Sequence, residues 1–194
     1  MMNLNTTTRK IQRLIGARAD GIYGPETAGK ILATLTSESV DPDTGQGFDA
    51  RTERNLATLQ PGARRKFEPF VRRAIAVASS MGVTAKVICG ERDRAAQEAA
   101  KRSGASRASY GYSWHNFGMA IDFGLFKGRS YVDADSPALA EAVYNAIGAV
   151  APQYGILWGG TWRSFVDMPH FQVPARSTPN AAERRRLVAG TYSS

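Results

Sequence analysis

Met119-Ala120-Ile121-Asp122-Phe123-Gly124-Leu125-Phe126 is an apolar run broken by a single carboxylate, and it reads as a β-strand buried on both faces. A carboxylate inside such a strand is costly unless it is paired or bound to a cation. Just upstream stands Ser113-Trp114-His115-Asn116-Phe117-Gly118, where Gly118 suits a tight turn that folds His115 back toward Asp122. The only other histidine of the 194 residues lies in Asp167-Met168-Pro169-His170-Phe171-Gln172. Pro169 has no backbone N–H and disfavours helix at Met168, so His170 is expected to open a strand, His170-Phe171-Gln172-Val173, with Asp167 in the loop before it.

Two histidines, each in a segment with an aspartate, supply what a two-histidine, one-carboxylate metal site needs. Any three of the four groups can close a tetrahedral zinc site and leave one position for water, as catalytic zinc sites do. The fourth is then free to move protons. Each residue alone also has a plainer reading. A lone histidine serves many roles, Asp122 can be satisfied by backbone amides, and Asp167 can cap the turn made by Pro169.

The pattern Ser-x-His-x-x-Gly-x-Ala-x-Asp, followed by an aspartate three residues before a second histidine, resembles the zinc D-alanyl-D-alanine carboxypeptidases and L-alanyl-D-glutamate endopeptidases of peptidoglycan. Within them it is most similar to the phage endolysins of the endopeptidase branch. Gly90-Glu91-Arg92 with Gln97, and Gly155-Ile156-Leu157-Trp158-Gly159-Gly160-Thr161-Trp162, extend the likeness to about residues 48–175. The resemblance implies one zinc per chain held by His115, Asp122 and His170, with Asp167 as general base. It also implies that Arg92 binds a substrate carboxylate or a developing oxyanion and that Ser113 lies beside the substrate. Glu91 departs from the family, which commonly has an aromatic or small residue there. Trp158 and Trp162 flank a Gly-Gly pair and are candidates to wall the cleft, Trp158 as a substrate contact, against the default of aromatic packing.

At the N-terminus, Ile11, Leu14 and Ile15 share one helical face, and Ala28, Ile31, Leu32 and Leu35 share another. The turn between them holds Asp20, Gly21, Tyr23, Gly24, Pro25 and Thr27. This helix-turn-helix resembles the small all-α peptidoglycan-binding module of cell-wall hydrolases and is assigned to residues 1–38. A plain helical hairpin docked on the enzyme is the alternative, because units this short seldom fold alone. Residues 39–47 read as a polar linker, 48–175 as the zinc peptidase domain and 176–194 as a basic C-terminal segment.

Within the catalytic part a helix is expected over Arg64–Met81, a strand over Val83–Ile88, a helix capped by Asp93, and another after Asp135-Ser136-Pro137. This irregular order favours an α+β domain, a small antiparallel sheet flanked by helices carrying the zinc site. The net charge of +8 favours an anionic partner, with anionic wall or outer-membrane polymers beside peptidoglycan itself. No nucleic-acid motif accompanies the charge, so nucleic acid is not expected. Cys89 is the only cysteine and reads as a small packed residue, with a place near the metal as the lesser alternative. The start lacks an apolar signal segment and no stretch suits a membrane span. The chain is therefore expected to be a monomer made in the cytoplasm that reaches the wall after the membrane is permeabilised. The functions in view are L-Ala–D-Glu endopeptidase, D-alanyl-D-alanine carboxypeptidase, or a non-catalytic wall binder with a structural zinc.

Overall fold

The computed structural model describes residues 47–176 and 178–189, together with Arg9, Gln12, 18–21 and Lys30. The elements are α1 (Ala50–Ala57), α2 (Pro61–Ser80), β1 (Thr84–Cys89), α3 (Arg94–Arg102), β2 (Ala120–Lys127), β3 (Ser130–Tyr131), α4 (Val132–Asp135), α5 (Pro137–Val150), β4 (Leu157–Trp158), β5 (His170–Gln172) and α6 (Ala181–Val188). Short 3-10 turns at Trp114–Phe117, Ala151–Tyr154 and Gly159–Thr161 join them. The fold is α+β, with one antiparallel sheet in the order β1-β2-β5-β4 and β3 paired to β2.

The apolar stripe of α2, with Phe67, Phe70, Val71, Ala74 and Val77, is fully buried. It packs against the sheet through Phe70, whose ring lies 6.0 Å from Phe123 and 5.1 Å from Phe171. The helix begins before Arg64 because Pro61 occupies its first turn, where a missing N–H costs nothing. Helix α5 adds Val143, Ile147 and Val150 to the same core. Ile121, Phe123 and Leu125 of β2 point into it, which sends Asp122 to the opposite face by the two-residue period of a strand. A second, smaller apolar cluster of Trp114, Phe117 and Ala120 forms separately.

Register then aligns the site. Asp122 on β2 is directly paired with His170 on β5. On its other side the ladder slips between Val87 and Cys89, so that Cys89 of β1 faces Asp122. Such a bulge re-aims a side chain at the end of a strand. Gly118 adopts φ 59°, the left-handed turn that closes the Trp114–Phe117 segment before β2.

Of the N-terminal hairpin, the described residues show a clasp in which Gln12 Nε2 donates to Asp20 Oδ1 at 2.8 Å and Gln12 Oε1 accepts from Gly21 N at 2.9 Å. Gly21 has φ 82°, consistent with the turn read there. Apart from Arg9, Gln12 and Lys30, the two flanking helices lie outside the described residues, as do Tyr23, Gly24, Pro25, Thr27 and almost all of the 39–47 linker. Among the described residues no helix is long and apolar enough to cross a membrane.

Candidate active site

His115, Asp122 and His170 converge on one point. His115 Nε2 lies 3.1 Å from Asp122 Oδ1 and 3.2 Å from His170 Nδ1, and His170 Nδ1 lies 3.2 Å from Asp122 Oδ1. Both rings are buried.

The neighbours of each ring decide which nitrogens carry protons. His115 Nδ1 is 2.7 Å from the carbonyl of Gly90, which can only accept, so Nδ1 bears the hydrogen and Nε2 is bare. Gln172 donates from Nε2 to the carbonyls of Pro174 and Arg176, both at 2.7 Å. Its Oε1 is thus the atom facing His170 Nε2 at 3.0 Å, and His170 Nε2 donates to it. His170 Nδ1 is then bare as well. Two imidazole lone pairs and a carboxylate oxygen meet in a triangle with edges of 3.1–3.2 Å. Such a triangle repels itself unless a cation sits over it. Tetrahedral zinc, with bonds of roughly 2.0–2.2 Å, sets ligand-to-ligand edges of about 3.3–3.6 Å, so the donor set fits the ion closely. Buried partners that fix the far nitrogen of each imidazole are the usual supports of such a site.

A second grouping overlaps the first: ligand atoms of Cys89, His115 and Asp122 lie within 4.8 Å of one another. Cys89 Sγ reaches His115 at 3.7 Å, but on Nδ1, the nitrogen already committed to Gly90. Burial, with the charge of Asp122, pushes the Cys89 thiol up. The set with His170 is therefore the better one. The structure nevertheless corrects the reading of Cys89 as plain packing, since its sulfur accepts from Arg92 Nε at 3.0 Å at the edge of the site.

Arg92 has partners the sequence does not reveal. Its Nη2 donates to Asp122 Oδ2 at 2.5 Å, so it steadies the carboxylate whose other oxygen faces the histidines. Burial opposes ionisation of Asp122, but His115 and His170 hold it well below the usual carboxylate range. Burial lowers His115. It also works against a charged His170, where the hydrogen bond and charge of Asp122 prevail and raise it. Without a metal, a proton on His170 is the smallest cation able to relieve the triangle.

Asp167 lies in the loop before β5, where its N–H donates to Gly159 O at 3.1 Å and its carbonyl accepts from His170 N at 3.2 Å. A Cβ on Gly159 would come within 2.6 Å of Asp167 O, so only glycine allows this approach. Burial, reinforced by the charge of Asp122, pushes the Asp167 carboxyl up, against His170 and Arg92. Among the described residues its carboxylate has no hydrogen-bond partner, and it sits close enough to the triangle to feel it.

Ser113 Oγ accepts from His115 N at 3.4 Å and caps the turn that carries this histidine, in a capping box with Asn116. Its observed role is thus to hold His115. Trp158 donates Nε1 to Met168 O at 2.8 Å and stacks on Phe171 at 6.3 Å, which makes it a support of the Asp167 loop. Trp162 is the tryptophan whose ring meets His170, at 5.1 Å, and among the described residues its buried Nε1 has no hydrogen-bond partner.

Sequence reading missed Gln172 and Asn116, and marked Gln97 as part of the resemblance without giving it a role. The signal for Gln172 was its position two residues after His170 on a strand, hence on the same face. Asn116 holds Gly111 N at 2.9 Å and Arg92 O at 3.0 Å, and Gln97, fully buried, ties Ser106 and Ala108 to α3.

Residues 106–173, which carry all three converging donors and Asp167, match the family model described as D-alanyl-D-alanine carboxypeptidase. Two curated relatives are more particular. The chain is 28% identical over 109 residues to the peptidoglycan L-alanyl-D-glutamate endopeptidase CwlK of Bacillus subtilis (strain 168), covering 50% of this chain and 65% of that one. It is 33% identical over 101 residues to the L-alanyl-D-glutamate peptidase of Listeria phage A118, covering 52% of this chain and 34% of that one. The matches thus span less than two thirds of either relative. Among solved structures, the L-Ala D-Glu endopeptidase ChiX of Serratia marcescens aligns with a TM-score of 0.48 and 28% identity, over 66% of this chain and 89% of that chain.

Proposed function

We propose that this protein is a zinc-dependent endopeptidase that hydrolyses the L-Ala–D-Glu bond of peptidoglycan stem peptides. The observation that carries the reading is the convergence of two bare imidazole nitrogens and a carboxylate oxygen within 3.2 Å, with both tautomers fixed by buried acceptors. When bound, zinc polarises the scissile carbonyl and makes an attacking water more acidic. His115, Asp122 and His170 hold the ion, while Arg92 and Gln172 hold the ligands. Asp167, its proton affinity raised by burial, takes a proton from the water and returns it to the leaving amine. The names of the two relatives support the choice of bond, and the phage relative supports action on the host wall at lysis.

The family description favours one second reading, a D-alanyl-D-alanine carboxypeptidase. Mass spectrometry of fragments released from purified peptidoglycan separates the two. New N-terminal D-Glu with L-Ala left on the glycan supports the endopeptidase. Loss of terminal D-Ala alone replaces it with the carboxypeptidase, and no release at all refutes both. In the same proposal residues 1–38, with the Asp20-Gly21 turn, bind the wall, and the net charge of +8 adds an attraction that weakens with salt. Sedimentation with insoluble peptidoglycan, with and without residues 1–38, tests this; equal sedimentation leaves that segment a plain hairpin.

A further inference from the structure

A cavity of about 360 Å³ opens between α5 and the loop that carries Asp167. Val166, Met168 and Pro169, the neighbours of Asp167 and His170, form one wall, and Tyr144 of α5 stands behind them. The cavity is mechanically joined to the site. Tyr144 Oη donates to the carbonyl of Phe123 at 3.0 Å, the residue after Asp122, and Phe123 N donates to Pro169 O at 3.0 Å.

Its lining is mostly apolar, with Val166 57% exposed, yet Asp133 and Glu141 also line it. Among the described residues neither carboxylate has a basic partner. Asp133 Oδ2 accepts from Tyr144 Oη at 3.4 Å, but in a chain of net charge +8 two carboxylates without a basic partner on one apolar cavity still form a local negative field. The complement of that chemistry is an ammonium on an aliphatic stem, which lays its methylenes on apolar walls and its charge on the acids. A carboxylate or a bulky neutral group is not favoured there. Resting on the peptidase reading above, this gives the cavity an occupant, because the stem-peptide residue after D-Glu is a diamino acid.

We propose that this cavity is the subsite for the diamino acid of the stem peptide, and that Asp133 and Glu141 select its free amine. The test compares hydrolysis by the intact zinc-loaded protein of L-Ala-γ-D-Glu-L-Lys-D-Ala and the same peptide acetylated on the lysine amine. The free-amine peptide is expected to show a kcat/KM about twofold to fivefold higher, the size of an exposed ion pair, and the preference should shrink as salt rises. In Glu141→Gln, and separately in Asp133→Asn, the ratio between the two substrates should fall toward one. Equal hydrolysis of both peptides by the unaltered protein overturns the subsite and leaves the peptidase reading standing. Failure to cleave either overturns the peptidase reading and the subsite with it.

Discussion

The sheet and the loop facing it treat the same side chain in opposite ways. Asp122 sits on β2, gripped by Arg92 and faced by two histidines, and is held well below the ordinary carboxylate range. Asp167 sits on the Gly159–Pro169 loop with no hydrogen bond to its carboxylate among the described residues, and burial pushes it up. A permanently charged donor belongs to the first setting and a proton carrier to the second. Ligands benefit from regular strands, whose register fixes them; a group that changes protonation needs an environment that leaves its charge uncompensated.

The largest effect should come from breaking the sheet side. His115→Ala, Asp122→Ala or His170→Ala should abolish both bound zinc and turnover, as read by elemental analysis and peptide hydrolysis. Full activity in a metal-free His170→Ala preparation would sink the assignment. On the loop side, Asp167→Ala should lower the rate by about 10²–10⁴-fold while zinc content stays at one per chain. If zinc left as well, Asp167 would move into the ligand set and the contrast would collapse.

Smaller effects sharpen the comparison. Gln172→Met removes the acceptor that fixes His170 and should weaken zinc binding by about 10–100-fold, measured by competition with a chelator. Zinc affinity should also depend on pH. His170 is raised above its ordinary value, so it must shed a proton to bind metal. Affinity is full above that raised pKa and falls by about tenfold per pH unit below it, for one proton exchanged. A flat profile from pH 8 to 5 would show that no proton competes. The smallest change is expected for Trp162→Phe, which keeps a ring beside His170 and deletes the buried, unpartnered N–H. Its stability should be unchanged or higher by about 1 kcal/mol, with a falling Tm counting against a true orphan.

Much of the fold was legible because periodicity is local. The stripe of α2, the Asp93 cap of α3, the start of α5 and the two strands carrying Asp122 and His170 stand close to where the pattern set them. Boundaries moved where a single residue rules, as Pro61 does for α2. The neighbours of Arg92 and Cys89 were not legible, because Asp122 and His115 lie tens of residues away, and those of the two tryptophans were not, because the packing of an irregular loop on β5 follows no local period.

The sequence alone determined that two histidines and two aspartates lie in two short segments, one aspartate inside an apolar strand where it needs a cation. Residue chemistry and a two-residue period are enough for that. Only the tertiary structure decided which atoms meet. Strand register set Asp122 opposite His170, a bulge turned Cys89 toward them, and Gly90 and Gln172 fixed the imidazole tautomers. Apart from Gln172, two residues from His170 on the same strand, these choices rest on hydrogen bonds between distant segments, which a linear chain does not specify until its core has packed.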